Sequence, residues 1–249
     1  MILVVSDLDE VLRSDKGPVA PELAGAIARV GSRADVKICI ITGAPAAHVP
    51  PIFYHVAFAE SGAVRIDRGG SLTIMHEGAL VIRDLREMLG ITKDDGLDEI
   101  KEGSVIIEEP RFASLTLLFG RPPHYPGIST SASSVQVLLK IEDFLHERRA
   151  ALHILPGVHK DYEWIDVTTT TKEATIGRLL KEMPEVKKAY YLGDGRNDLA
   201  VMRNPNITPV GFANSIPEIR ELAYVLGIYI SYPGPEGGAL EFFGFLESQ

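Results

Sequence analysis

The first dozen residues constrain the fold more than any other stretch of the chain. Residues 1–5 are all apolar, Ser6 follows, and two aspartates then stand two positions apart, at Asp7 and Asp9. A continuous apolar run of this length is typical of a strand buried on both faces, as in a parallel sheet. Open α/β sheets place their ligand crevice at the carboxyl ends of the strands. The sequence therefore predicts an acidic pair at the edge of the sheet where ligands bind.

Composition limits the classes of partner. The chain has 249 residues, a formal net charge of -9 and 45% hydrophobic residues, which suits one large or two small globular domains. Nucleic acid is bound by basic surfaces, so we expect no nucleic-acid partner. The single cysteine, Cys39, cannot form an internal disulfide, which favours a reducing cytoplasm. The N-terminal apolar run is too short for a signal peptide or a membrane span, so we expect a soluble, cytoplasmic protein without a membrane partner.

Strand and helix patterns alternate at both ends of the chain. The opening strand is followed by a helix pattern over 22–30 and a second buried strand over 36–41, and such a βαβ unit makes a parallel sheet. Short strand patterns over 55–75 indicate a hairpin at its edge, and a helix is predicted over 77–89. The alternation resumes from a strand at 162–167 and continues to the C-terminus.

The middle of the chain has a different order of elements. Residues 92–103 show no strong period, two strand patterns follow at 104–107 and 113–119, and a helix at 131–149 precedes a strand at 151–155. Strands followed by a helix and a strand are typical of an α+β module. We therefore predict an α/β fold with a Rossmann-like parallel-sheet core, residues 1–78 and 158–249, and an inserted α+β cap, residues 79–157.

Four groups of polar residues fall at the ends of predicted core strands or at a helix start. They are Asp7 with Asp9, Thr42 with Gly43, Lys172, and Asp194 with Asn197 and Asp198. Carboxylates that converge on one crevice repel one another unless a cation lies among them, and hard oxygen ligands favour Mg²⁺. A lysine, a hydroxyl and backbone N–H groups beside them suit phosphoryl oxygens. The combination predicts a phosphoryl-transfer site.

These four groups, in this order, resemble the four motifs of the haloacid dehalogenase-like hydrolase superfamily. The insertion between the second and third motifs is similar to the α/β cap of its Cof-type branch, and residues 60–63 resemble the Asn-Gly turn usual there. That branch includes sugar-phosphate, phosphoglycolate and mannosyl-3-phosphoglycerate phosphatases and phosphomannomutases. The resemblance covers essentially the whole chain, and residues 193–198 are its most specific part.

The resemblance implies catalytic and metal-binding roles for the carboxylates. Asp7 would attack phosphorus to form an aspartyl-phosphate, and Asp9 would protonate the departing alkoxide and then activate water. Mg²⁺ would be held by Asp7, the Asp9 backbone carbonyl and Asp194. Asp198 would bind the metal directly or through water.

The resemblance also implies which residues bind the phosphoryl group. Thr42 and the Gly43 N–H would hold it, and Asn197 would orient it or its loop. Lys172 would offset the negative charge gathered around Asp7.

The expected function is that of a Mg²⁺-dependent phosphatase acting on a small phosphorylated metabolite of the phosphoglycolate or sugar-phosphate class. A phosphosugar mutase on the same scaffold and a noncatalytic phospholigand-binding protein are the alternatives. The last is motivated by two departures from the branch, Glu10 in place of the usual glycine and Ala44 in place of a common arginine. The sequence identifies neither the individual substrate nor the oligomeric state.

Overall fold

The chain forms two compact units. The structure, a computed structural model, describes residues 1–14, 16–75, 78–108, 110–158 and 160–249. One unit comprises Met1–Thr73 and Lys172–Gln249, and the other comprises Ile74–Thr171. Within the described residues, no helix combines the length and the apolar character that crossing a membrane requires.

Strands and helices follow one another along the chain in a mixed order. They are β1 (Ile2–Ser6), α1 (Pro21–Gly31), β2 (Val36–Ile41), β3 (Val56–Ala59), β4 (Val64–Asp67), β5 (Leu72–Ile74), α2 (Ala79–Leu89), β6 (Gly96–Ile100), β7 (Gly103–Ile107), β8 (Ser114–Gly120), α3 (Ser134–Arg148), β9 (His153–Val158), β10 (Tyr162–Thr168), α4 (Lys172–Glu182), β11 (Lys188–Leu192), α5 (Arg196–Met202), β12 (Thr208–Phe212), α6 (Pro217–Leu226), β13 (Ile228–Ile230) and α7 (Ala239–Glu247). The helix predicted over 77–89 is observed from Ala79, and Glu77 lies outside the described residues.

The larger sheet has the strand order β13-β12-β11-β1-β2-β3-β4-β5. Strand β1 lies at its centre and pairs in parallel with β2 and with β11. Ser6, the last residue of β1, stands opposite Ile40 on one side and Leu192 on the other. The carboxyl ends of these three strands therefore lie side by side, and the residues that follow them meet at one edge. The predicted α/β class and parallel-sheet core are confirmed.

Both faces of this sheet are covered by helices. Val4 packs in one apolar cluster with residues of α1 and α7, while its neighbour Val5 packs in a second cluster with residues of α4 and α6. Successive strand residues point to opposite faces, so a strand in the middle layer must be apolar throughout. Each large side chain buried in this way stabilises the fold by about 1.5–3 kcal/mol. The opening apolar run is thus explained by its central position.

The second unit is a five-stranded sheet with the order β6-β7-β8-β10-β9. Its strand pairs are antiparallel, and α2 and α3 contribute Leu85 and Ile141 to a cluster with Leu117 and Val167. Strand β6 falls in a stretch for which the sequence showed no period, and its buried Asp98 accepts backbone N–H bonds from the preceding turn.

One strand assignment from the sequence is wrong. The sequence predicts that a strand at 162–167 resumes the core, but β10 pairs with β8 and β9 in the second sheet, where Trp164 stands opposite Leu118 and Gly157. Ile165 and Val167 are buried, whereas Trp164 and Asp166, which alternate with them, are only partly covered. This alternation is typical of an antiparallel strand with one covered face rather than of a central parallel strand.

Candidate active site

Asp7 is the first residue after the central strand of the larger sheet. Its N–H donates to the carbonyl oxygen of Leu192 at 2.9 Å, which extends the pairing of β1 with β11 by one step. Its Oδ1 accepts the N–H of Leu8 at 2.7 Å. The residue is only 7% exposed. Both the backbone and one carboxylate oxygen are therefore fixed, and Oδ2 is directed to other partners.

Lys172, the first residue of α4, is the partner of that second oxygen. Its Nζ lies 2.7 Å from Asp7 Oδ2 and 2.8 Å from Asp198 Oδ1. Burial alone lowers the pKa of the ammonium, but the carboxylates of Asp198 and Asp7 outweigh burial and raise the pKa above its usual value. A buried charge is tolerated only when it is paired. Lys172 therefore stays charged and joins two carboxylates from different segments, Asp7 after β1 and Asp198 in the first turn of α5.

Asp198 is completely buried and accepts hydrogen bonds at both carboxylate oxygens. Oδ1 accepts from Lys172 and from the hydroxyl of Tyr191 at 2.6 Å. Oδ2 accepts the N–H groups of Asp194 and Gly195 at 3.2 and 3.1 Å. Asp198 thus holds the loop between β11 and α5 in shape. Tyr191 was not identified from the sequence, because a tyrosine inside an apolar strand gives no functional signal.

Three carboxylates form the group best suited to a metal ion. One oxygen from each of Asp7, Asp194 and Asp198 lies within 4.8 Å of the others, and among the described residues this group does not include the Asp9 carboxylate. Burial is the main cause that raises the pKa of Asp7 well above its usual value, partly opposed by Lys172. Burial, followed by the nearby charge of Asp198, raises the pKa of Asp194 to about 7. Carboxyl groups with raised pKa values ionise more readily when a cation lies beside them. Carboxylate oxygens are also ligands that Mg²⁺ prefers, so this group fits a Mg²⁺ ion.

The pKa of Asp194 leads to a testable pH dependence of metal binding. Mg²⁺ needs the ionised carboxylate, so protons compete with it below pH 7. We expect the Mg²⁺ affinity to be about tenfold weaker at pH 6 than at pH 8, since a group with this pKa is mostly protonated at the lower pH. Titration calorimetry with Mg²⁺ alone at the two pH values measures this. Equal affinities would contradict the assignment, and the variant Asp194→Asn should bind more weakly with less dependence on pH.

Asp9 lies beside the carboxylate group but has different partners. Its Oδ1 accepts from Nε of Arg13 at 2.7 Å and from the N–H of Lys16 at 3.3 Å. Its side chain is 33% exposed, whereas that of Arg13 is 5% exposed. Arg13 was not identified from the sequence, although its spacing of four residues from Asp9 was a possible signal.

Thr42 follows β2 at the same edge of the sheet and is buried. Its Oγ1 accepts the N–H of Ala44 at 3.0 Å, and its carbonyl oxygen accepts the N–H of Ser61 at 2.8 Å. Ser61 belongs to a turn whose next residue, Gly62, has a φ of 110°. A Cβ there would lie 1.8 Å from Thr175 Oγ1, so only glycine fits. This turn links the Thr42 loop to α4.

Gly43 and Asn197 are the other two predicted site residues at this edge of the sheet. Gly43 follows Thr42 directly, and a Cβ added to it would meet only Ser61 Oγ, at 4.0 Å. Asn197 is exposed in the first turn of α5, next to the buried Asp198. Within the described part of the chain, the Asn197 side chain makes no hydrogen bond to the carboxylate group. It is therefore open to solvent and to a ligand.

Glu10 occupies a backbone conformation that favours glycine. Its φ is 59°, its N–H donates to the carbonyl oxygen of Arg13 at 2.7 Å, and its own carbonyl accepts from Nδ2 of Asn214 at 2.7 Å. Its carboxylate also contributes to the raised pKa of Asp194. The branch that the sequence resembles usually has glycine here, and the left-handed backbone conformation of this residue explains that preference.

Relief of this strain should stabilise the protein. We expect Glu10→Gly to raise the free energy of unfolding by about 1 kcal/mol, because a non-glycine residue in the left-handed region is strained. Urea unfolding of the metal-free protein measures the change. Glu10→Ala is the matched control, since it removes the charge and keeps the strain. If alanine stabilised as much as glycine, the charge rather than the backbone would be the cause.

Solved structures match this chain over nearly its whole length. A phosphatase of the haloalkanoate (HAD) enzyme superfamily from Bacteroides thetaiotaomicron is 18% identical, with a TM-score of 0.61, over 97% of this chain and 94% of that chain. A haloacid dehalogenase-like hydrolase from B. subtilis is 15% identical, with a TM-score of 0.61, over 98% and 99%. A HAD subclass IIB sugar phosphatase is 14% identical, with a TM-score of 0.56, over 98% and 99%.

The other two comparisons gave no match. No protein-family model matches the chain, and no curated protein matches it. At identities below one fifth, the structural likeness shows the fold. The chain has the fold of haloacid dehalogenase-like phosphatases, including the subclass IIB type, and the fold that the resemblance implied is confirmed.

Proposed function

We propose that the protein is a Mg²⁺-dependent phosphatase that hydrolyses a small phosphomonoester through an aspartyl-phosphate on Asp7. The observation that carries the proposal is the position of Lys172, which joins Asp7 Oδ2 and Asp198 Oδ1 at 2.7 and 2.8 Å inside a carboxylate group that fits a metal. A cation and a metal site beside one carboxylate suit attack on a phosphoryl group, where negative charge must be offset.

The residues at this edge of the sheet have different roles in the proposed reaction. Asp7 attacks phosphorus and the bond to the leaving oxygen breaks, while Lys172 offsets the charge around the reacting group. Asp9 gives a proton to the departing alkoxide and later takes one from the water that attacks the aspartyl-phosphate. Thr42 and the Gly43 N–H bind the phosphoryl oxygens. Asp198 keeps Lys172 and the loop after β11 in position.

A bound Mg²⁺ would be held by Asp7 and Asp194, by the Asp9 backbone carbonyl, and by Asp198 directly or through water. It would supply Lewis-acid stabilisation of the phosphoryl oxygens. In this proposal the second unit is the cap that selects the substrate, and the protein works in the cytoplasm on a small phosphorylated metabolite. The sugar phosphatase among the structural neighbours supports a phosphorylated sugar as the first class to test.

A phosphate-release screen tests the proposal. The purified protein is assayed with sugar phosphates, phosphoglycolate and p-nitrophenyl phosphate, each with Mg²⁺ and each with an excess of chelator. We expect Mg²⁺-dependent release of inorganic phosphate from at least one alkyl phosphate. Conversion of a sugar phosphate to its isomer without net phosphate release would indicate a mutase. Thermal stabilisation by ligands without turnover at any Mg²⁺ concentration would indicate a binding protein instead.

A further inference from the structure

Arg13 closes the turn that carries Asp9. The backbone N–H of Arg13 donates to the carbonyl oxygen of Leu8 at 3.2 Å, and its own carbonyl accepts the N–H of Glu10 at 2.7 Å. The side chain folds back over this turn and is 5% exposed. The guanidinium is therefore held within the loop at the end of β1 and not in solvent.

The guanidinium connects two parts of the candidate site. Nε donates to Asp9 Oδ1 at 2.7 Å, and Nη1 donates to the carbonyl oxygen of His48 at 2.8 Å. His48 ends a short 3₁₀ turn, Ala46–His48, which follows the Thr42 loop. The planar fork of arginine fixes the direction of both bonds at once. The carboxylate of Asp9 is thereby tied to the segment that comes after the proposed phosphate-binding residues.

Stability alone does not explain an arginine at this position. Nη2 is buried and has no hydrogen-bond partner among the described residues, and a buried donor without a partner destabilises a fold. An apolar side chain of similar length would fill the same space without that loss. The ion pair with the partly exposed Asp9 is also of a kind that adds little stability. The arginine is better explained by its hydrogen bond to the Asp9 carboxylate.

We propose that Arg13 is a positioning residue that fixes the Asp9 carboxylate for proton transfer to the leaving group. This role rests on the proposed phosphatase function. Arg13 occupies Oδ1, and Oδ2 makes no hydrogen bond with the described residues, so Oδ2 is the oxygen that exchanges the proton. Loss of the guanidinium frees the carboxylate to rotate, and proton transfer then depends on a minority of its orientations.

Leaving-group dependence separates this role from a structural one. An alkyl phosphate needs a proton on its leaving oxygen, whereas p-nitrophenyl phosphate does not. With Arg13→Met we expect kcat/KM to fall about tenfold or more for the alkyl phosphate found by the screen and to change less than about threefold for p-nitrophenyl phosphate. Arg13→Lys, which keeps a cation within reach of Asp9 but lacks the fork, should recover part of the loss.

Each outcome of this experiment either supports or overturns the positioning role of Arg13. Equal losses with both substrates would overturn the role of Arg13 and leave the phosphatase function standing. No turnover by the wild-type protein would overturn the proposed function and this role with it. If Arg13→Met does not fold, a double-mutant cycle of Arg13→Lys with Asp9→Asn replaces it. We expect no further loss from Arg13→Lys once Asp9 is asparagine, and additive losses would contradict the role.

Discussion

Replacement of Asp7 by asparagine is expected to abolish turnover, with kcat lower by about 1,000-fold or more. An amide oxygen is a poor nucleophile and forms no stable acyl-phosphate, so the step assigned to Asp7 has no substitute among its neighbours. In the wild-type protein, Oδ2 of Asp7 lies 2.7 Å from the ammonium of Lys172. Phosphate release at saturating substrate and Mg²⁺ measures the loss. Activity that survived unchanged would exclude Asp7 as the nucleophile.

The structure indicates that this variant should still fold. An asparagine Oδ1 can accept the N–H of Leu8 as the aspartate does, and Lys172 keeps its contact with Asp198 at 2.8 Å. The matched control is Asp7→Glu, which retains the charge but moves the carboxylate by one methylene. We expect Asp7→Glu to bind Mg²⁺ and to turn over very slowly, because the in-line geometry is lost. Acid-quenched wild-type protein should carry hydroxylamine-sensitive phosphate, and both variants should carry none.

The position of the candidate site was predictable because it depends on simple sheet geometry. A central parallel strand is apolar throughout, and residues that leave neighbouring parallel strands meet at one edge. This reasoning places Asp7 beside the segments that carry Thr42 and Asp194, and the pairing of β1 with β2 and β11 agrees with it. The roles assigned to these residues stay predictions until activity is measured.

Features that depend on contacts between distant residues were not predictable from local patterns. Trp164 belongs to a strand whose partners, in β8 and β9, are chosen by antiparallel pairing. Tyr191 lies in an apolar strand pattern, and only the structure shows that its hydroxyl donates to Asp198 Oδ1 at 2.6 Å. Arg13 lies four residues from Asp9, but its second bond, to the carbonyl oxygen of His48 35 residues away, is not predictable from that spacing. In each case the sequence supplies the residue type, and only the tertiary structure supplies its partner.

Replacement of Lys172 by methionine is expected to cause the largest loss of stability. The change leaves the carboxylates of Asp7 and Asp198 without their cation, and these side chains are only 10% and 0% exposed. Removal of one partner from a buried ion pair destabilises a protein by about 3–5 kcal/mol. Urea unfolding of the metal-free protein at pH 8 measures the loss. Lys181→Met, at an exposed lysine in the last turn of the same helix, is the control and should change little.

The same variant should show a characteristic dependence on pH and on Mg²⁺. Lys172 lowers the pKa values of Asp7 and Asp194, which burial raises, so its removal should raise both further. A carboxyl group whose pKa is higher in the folded than in the unfolded protein loses stability as pH rises through the folded value. We therefore expect Lys172→Met to be more stable at pH 5.5 than at pH 8. Mg²⁺ should restore part of the loss at pH 8, because a cation returns between the carboxylates. A variant as stable as wild type at pH 8, or insensitive to Mg²⁺, would show that Lys172 is not what compensates these buried charges.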